Sequence, residues 1–215
     1  MIRLDIFSDP ICPWCYIGKA NLDRALERRA DHPFAIEWHP FQLNPEMAPA
    51  GVDRRSYLEE KFGGKDKAIQ IYARVEDAAR SAGLEIDFAN ISRVPNTLDA
   101  HRMIHWAGLE GKQTAMVSAL FRAYWRDGRD IGDPATLAAI GGEVGMDATL
   151  AQRLLATDAD RDDLAARDLD ARRKGVTAVP TYLIAQQYVL SGAQPPDLWG
   201  QVIEELTVAS QQPSA

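Results

Sequence analysis

The chain's two cysteines stand together as Cys12-Pro13-Trp14-Cys15, directly after a short apolar run and at the head of a helical pattern. Ile2 to Phe7 reads as a strand, and Ser8-Asp9-Pro10 reads as its turn. From Tyr16 onward Ile17, Ala20, Leu22, Ala25 and Leu26 recur at mixed spacings of three and four, the helical signal. A helix N-terminus carries backbone N–H groups without partners and a positive dipole end. Both favour a thiolate at Cys12, and the thiolate is the nucleophilic form. Cys15, three residues on, can reach back to resolve a mixed disulfide, so the pair on a strand–turn–helix is a redox motif. A structural zinc site takes four ligands. There is no second cysteine pair, and His32, His39, His101 and His105 offer no completion at a close spacing, so no metal is expected. Inert buried cysteines would be expected as scattered residues rather than as this cluster.

The pattern around the motif supplies the frame. The first helix reaches about Arg29 and is stopped by Asp31-His32-Pro33. Phe34 to Leu43 then alternates in part (Phe34, Ile36, Trp38) and ends at the Asn44-Pro45 turn signal. A strand–helix–strand unit of this length implies a parallel pair joined by a right-handed crossover. From about Asp53 to Lys174 there is almost no strand signal. Helices are expected over 56–62, closed by Gly63-Gly64, over 65–81, ended by Gly83, and over 97–107, with Asn96 as cap and Gly108 as stop. Four more follow, over 112–125, 134–143, 148–156 and 160–174. Asp133 and Asp147 supply two caps, and Pro134 takes the first helical position. Strands return at Thr181–Ile184 and Tyr188–Ser191, joined tightly enough by Ala185-Gln186-Gln187 to imply an antiparallel hairpin. A last helix opens at Pro195-Pro196 and runs to about Val208, leaving Ser210 to Ala215 as a frayed tail.

Charge and hydropathy narrow the function classes. With 24 basic against 31 acidic residues the chain carries −7, which argues against nucleic acid as a partner. No stretch approaches the roughly 18 consecutive apolar residues of a membrane span. Met1-Ile2-Arg3-Leu4-Asp5 enters the first strand with no apolar leader core. The expected compartment is therefore the cytoplasm, where a disulfide is usually transient rather than structural.

The order strand, CxxC helix, strand, helical block, strand, strand, helix resembles a thioredoxin fold carrying a helical insertion, the architecture of the DsbA family. The resemblance implies an α/β, thioredoxin-like domain built from residues 1–48 and 176–215, interrupted by an all-helical insertion over 49–175. It also implies a cis proline at Pro180, within Val176-Thr177-Ala178-Val179-Pro180-Thr181, facing the cysteines; by itself a proline there also reads as a strand start. Within the family the chain is similar to the cytoplasmic FrnE-like branch. The matching pieces are Phe7-Ser8-Asp9 leading into Cys12-Pro13-Trp14-Cys15-Tyr16-Ile17-Gly18-Lys19, Pro40-Phe41-Gln42-Leu43-Asn44-Pro45, Pro95-Asn96-Thr97-Leu98-Asp99-Ala100-His101-Arg102, and Ser191-Gly192-Ala193-Gln194. The implied catalytic residues are Cys12, Cys15 and Pro180, with Pro13, Trp14, Val179 and Asn96 meeting substrate. Disulfide-containing proteins or small thiols are the implied substrates. No cofactor is required, glutathione is a candidate cosubstrate, and either a monomer or a homodimer is compatible.

Three departures stand out. Thioredoxin-like enzymes often bury an acid six positions before the first cysteine, and Ile6 occupies that place here, so Asp5, Asp9, a water or a substrate group must serve. The second, C-terminal cysteine pair of some FrnE-like proteins is absent. Trp14 stands where periplasmic oxidants carry His, which implies a weaker oxidant. Two rival readings share the superfamily: a glutathione-dependent isomerase or transferase of the 2-hydroxychromene-2-carboxylate isomerase or kappa class, and a non-catalytic chaperone-like module. The intact cysteine pair favours the oxidoreductase. Elsewhere, His101 and His105 lie four apart on one helix and read as packing or surface residues. Trp38, Trp125 and Trp199 read as core, and Arg172-Arg173-Lys174 as a helix end complementing its dipole.

Overall fold

Strand β1 (Ile2–Ser8) organises the molecule because both of its faces are covered. Its alternation puts Leu4, Ile6 and Ser8 on one face and Arg3, Asp5 and Phe7 on the other; Leu4, Asp5 and Ile6 are all buried. The computed structural model describes residues 1–211. In it β1 pairs in parallel with β2 (Phe34–Pro40), from Ile2 opposite Phe34 to Ser8 opposite Pro40, and the intervening crossover is helix α1 (Pro13–Glu27). On its other side β1 pairs antiparallel with β5 (Thr181–Ile184), which pairs antiparallel with β6 (Tyr188–Ser191), giving a sheet of order β2-β1-β5-β6. The hairpin turn places Ala185 and Gln186 at φ 53° and 58°, with the Gln187 N–H donating to the Ile184 carbonyl at 3.0 Å. Two positive-φ residues are what a tight hairpin asks for, here met without glycine.

Between β2 and β5 run α2 (Arg54–Phe62), α3 (Lys65–Ser81), α4 (Leu98–Leu109), α5 (Gln113–Trp125), α6 (Pro134–Glu143), α7 (Ala148–Leu155) and α8 (Arg161–Arg173); α9 (Pro196–Gln211) packs against α1. The predicted caps Asp133 and Asp147 accept from Thr136 N and Leu150 N at 2.8 and 3.0 Å. Four expectations need correction. Val52–Asp53 and Arg93–Val94 pair as two-residue antiparallel strands, β3 and β4, too short to show periodicity. Gly108 lies inside α4 rather than ending it; a Cβ there would sit 3.3 Å from Gln113 Nε2, so glycine admits the neighbouring amide. At the start of α4 the cap position belongs to Thr97, although the Asn96 side chain does accept the Leu98 N–H at 2.9 Å. The last helix continues to Gln211, and 212–215 lie outside the described residues.

One continuous cluster of buried side chains joins the sheet (Leu4, Ile6, Trp38, Ile184) to the helices (Met103, Leu120, Phe121, Ile140). A smaller one seats α3 on α1 through Ile17, Val75 and Ala79. At the free edge of β2 the Gln113 side chain bonds both backbone groups of Trp38, accepting its N–H at 2.9 Å and donating to its carbonyl at 3.1 Å.

The helical region is pinned by a fully buried arginine. Arg102 donates to the Ala159, Leu154 and Thr157 carbonyls at 2.7, 2.8 and 2.8 Å, pairs with Asp99 at 2.8 Å and lies 4.8 Å over the Trp106 ring. These carbonyls belong to the end of α7 and the turn after it, where helix geometry leaves acceptors without partners. Arg102→Met removes the charge and orphans those acceptors while Asp99 keeps its Arg161 partner. The expected loss of stability is about 3–5 kcal/mol, read from the urea midpoint, and Arg102→Lys should recover only part of it, because an ammonium cannot fork across several carbonyls.

Candidate active site

The turn after β1 delivers the cysteines. The Cys12 N–H donates to the Asp9 carbonyl at 2.9 Å, and Cys12 takes the cap position of α1 at φ −88° and ψ 114°. Pro13 follows at the first helical position, where the missing N–H costs nothing. Cys15 lies one turn in, its N–H donating to the Cys12 carbonyl at 3.1 Å. Both cysteines are free thiols and both are buried, 3% and 1% exposed, whereas Trp14 between them is 40% exposed. The loop before β5 faces them: the Cys12 Sγ donates to the Val179 carbonyl at 3.5 Å, and the Val179–Pro180 bond is cis. A Cβ on Gly18 would lie 3.1 Å from Pro180 Cγ and would collide with the Tyr182 hydroxyl, so the glycine lets α1 close onto β5 and the proline.

Cys12, Pro13, Trp14 and Val179 line one cleft of about 320 Å³, whose far wall is built from α2 and α3. Pro180 lies buried behind Val179. Asn96 is not among the lining residues. Its amide instead joins Gln42 Nε2 at 3.2 Å and the Met47 carbonyl at 2.7 Å, fastening the loop after β2. The two sulfurs have unequal surroundings. Burial, then the neighbouring Cys12 sulfur, push the Cys15 thiol well up, against the opposing pull of the Asp9 backbone N–H and the Ser8 hydroxyl. The arrangement is a thiol on a cleft backed by a second thiol that holds its proton.

Of the acids named for the Ile6 vacancy, Asp5 is excluded by its face of β1, where it pairs with Arg3 at 2.7 Å and His39 at 2.6 Å. Asp5, Glu37 and His39 form a cluster of metal-ligating types, but Arg3 already supplies its cation, reaching Glu37 at 3.0 Å as well. Asp9 is fully buried in the turn itself. Its carboxyl accepts the Ile11 N–H at 3.3 Å and the Leu43 N–H at 2.6 Å, and burial pushes it up to about 7. His101 faces it at 4.0 Å, buried, its Nε2 without a hydrogen-bond partner among the described residues, and burial pushes the ring down to about 4. Asp168 then accepts the Gln42 N–H at 2.8 Å and pairs with Arg172 at 2.8 Å, while Arg172 lies 4.0 Å over the Phe41 ring and donates to the Gln42 carbonyl. Arg172 is thus a clamp on the 41–43 loop, more than the dipole partner expected. No sequence pattern pairs Asp9 or Asp168 with that loop, because the partners are distant in the chain and meet only after folding.

The two buried titrations have opposite signs. Asp9, raised above its unfolded value, favours the fold below about pH 4 and loses that contribution as pH climbs through 7. His101, depressed, favours the fold above its unfolded value near 6.5 and loses it as pH falls through about 4. Between pH 4 and 6.5 they cancel. Asp9→Asn should therefore unmask a stability that rises with pH in that window by about 1.4 kcal/mol per unit, and His101→Asn one that falls by a similar amount. Urea unfolding at half-unit pH steps reads both slopes, and parallel curves for wild type and variants would refute the assignment.

Residues 3–204 match the family model described as the DSBA-like thioredoxin domain. The chain is 27% identical over 208 residues to the uncharacterized protein YwbO of Bacillus subtilis, covering 95% of this chain and 96% of that protein. Among solved structures it is similar to a probable DsbA oxidoreductase, SCO1869, from Streptomyces coelicolor, at 28% identity and a TM-score of 0.86, covering 100% of this chain and 93% of that one. It shares the fold of the cytosolic disulfide reductase DsbM of Pseudomonas aeruginosa, solved with GSH, at 21% identity and a TM-score of 0.69, covering 96% and 99%. With its cysteine-headed first helix, its mixed sheet and a family match over nearly its whole length, the chain belongs to the DSBA-like thioredoxin domain family of thiol–disulfide oxidoreductases.

Proposed function

We propose that the Cys12–Cys15 dithiol reduces or rearranges substrate disulfides through a mixed-disulfide intermediate. The observation that carries this reading is the stacking of two free thiols, Cys12 on the cleft and Cys15 walled off behind it. Cys12, as thiolate, attacks one substrate sulfur. The substrate S–S bond breaks, and the leaving sulfur departs as a thiol after taking up a proton. Cys15 then gives up its proton and attacks the Cys12 sulfur, releasing the second half of the substrate and leaving the enzyme disulfide. An external thiol or dithiol returns the enzyme to its reduced form. The exposed Trp14 and the backbone at Val179 and Pro180 offer an edge along which an extended substrate can lie, in the manner of strand addition. Glutathione as cosubstrate is supported by the DsbM complex with GSH, and a cytoplasmic setting by DsbM's cytosolic description. No described helix is long and apolar enough to cross a membrane.

The glutathione-dependent isomerase reading needs a single polar group at the head of α1. A second thiol, buried and proton-holding, has no task in that chemistry but is required to resolve a mixed disulfide. Cys12→Ser should abolish reduction of insulin and of glutathione disulfide. Cys15→Ser should end multiple turnover and accumulate a Cys12 mixed disulfide, visible by mass spectrometry. Wild-type turnover by Cys12→Ser, or isomerase turnover that survives Cys15→Ser, would overturn the proposal.

A further inference from the structure

The cleft beside Cys12 has a charge inventory unlike the rest of the chain. The protein carries 31 acids against 24 basic residues, yet no Asp or Glu is among the lining residues, while Arg54 and Lys61 both are. Arg54 stands at the start of α2, 4.8 Å from the Tyr72 ring centroid and 5.4 Å from that of Phe88. Its Nη1 reaches the Phe88 carbonyl at 3.4 Å, and the guanidinium is otherwise held by the two rings and by Tyr72, with no carboxylate paired to it among the described residues. A guanidinium without a carboxylate partner keeps its full charge for an anion that enters the cleft. Lys61 is held by a neutral partner, donating to the Tyr57 hydroxyl at 2.7 Å, which in turn donates to Asn44 at 2.7 Å. Between these cations and the sulfur the walls are apolar, with Leu58, Phe62 and Val75.

Resting on the oxidoreductase reading above, we propose that this cleft selects small disulfides bearing carboxylates, with Arg54 and Lys61 as the specificity-determining cations. The volume of about 320 Å³ lies at the small end of ligand sites, about 300–1,000 Å³. Cys12, only 3% exposed, is reached through that space, which suits a short, flexible disulfide better than a folded protein. Carboxylates drawn to the Arg54 and Lys61 wall leave the apolar lining to the arms around the S–S bond. Electrons and protons balance as in the mechanism above: one substrate disulfide becomes two thiols, the Cys12–Cys15 dithiol becomes a disulfide, and dithiothreitol reverses that change.

Three disulfides with two methylenes in each arm test the idea: 3,3′-dithiodipropionate (anionic), bis(2-hydroxyethyl) disulfide (neutral) and cystamine (cationic). Each is assayed with the full chain and excess dithiothreitol and corrected for its uncatalysed exchange. The expected kcat/KM ranking is anionic over neutral over cationic, by about tenfold per step, narrowing with added salt. Arg54→Gln and Lys61→Gln should each lower the value for the dianion by about tenfold more than the value for the neutral probe. Lys61, on the surface, keeps the test sound if Arg54→Gln fails to fold. Equal values for the neutral and anionic probes, equal slowing of all three by both variants, or faster reduction of insulin than of dithiodipropionate would overturn the selectivity while leaving the redox mechanism standing. Failure to reduce any of them would overturn the redox mechanism itself.

Discussion

Asp9 accepts backbone hydrogen bonds from two segments that would otherwise have no reason to meet: Ile11, in the turn that aims the first cysteine, and Leu43, in the loop leaving β2. Strands β1 and β2 end side by side at Ser8 and Pro40, so both chains must turn away at the same level. A buried turn leaves N–H groups that require partners, and a single carboxyl satisfies one from each. Leu43 then forms part of the cleft wall beside Cys12. The shape of the cysteine site thus depends on a side chain that never meets the cleft. Desolvation is the cost of this arrangement, and it is why the carboxyl titrates near neutrality.

The same problem is solved again at each place where irregular backbone is buried. Asp168 and Arg172 hold Gln42 from the α8 side, and Asn96 holds Gln42 and Met47 from the start of α4. Arg102 serves the end of α7. In each case a polar side chain on a regular element supplies the partner that the loop cannot find within itself. The helical region therefore does more than cover the sheet, since its side chains set the conformation of the loop that walls the site.

Much of the frame was legible in the sequence because it rests on local rules. The strand–turn–helix at the cysteines follows from a period that changes at Cys12, and the caps at Asp133 and Asp147 from residue chemistry one turn away. The hairpin over Ala185–Gln187 follows from the shortness of the connection. What escaped reading was non-local. Nothing near Asp9 announces Leu43, nothing near Arg102 announces Ala159, and Arg172 looked like an ordinary helix end because its targets, Phe41 and Gln42, lie 130 positions or so earlier. The resemblance brought Asn96 into the substrate site, but its amide is already engaged in holding the loop. The replacement for the acid missing at Ile6 was narrowed only when β1's alternation put Asp5 on the opposite face.

The Gln113 side chain at the β2 edge has a consequence for assembly. By bonding the N–H and the carbonyl of Trp38 together, it imitates one residue of a neighbouring strand. An open sheet edge is a template for another chain, and this one is stoppered at its middle by an amide from α5. At the opposite edge β6 presents Tyr188 and Val189, each 61% exposed, and among the described residues a side-chain amide meets it only at its end, where Gln194 donates to the Ser191 carbonyl at 2.6 Å. The two edges of the sheet are therefore finished differently, β2 by an amide from a distant helix and β6 by one three residues along its own chain.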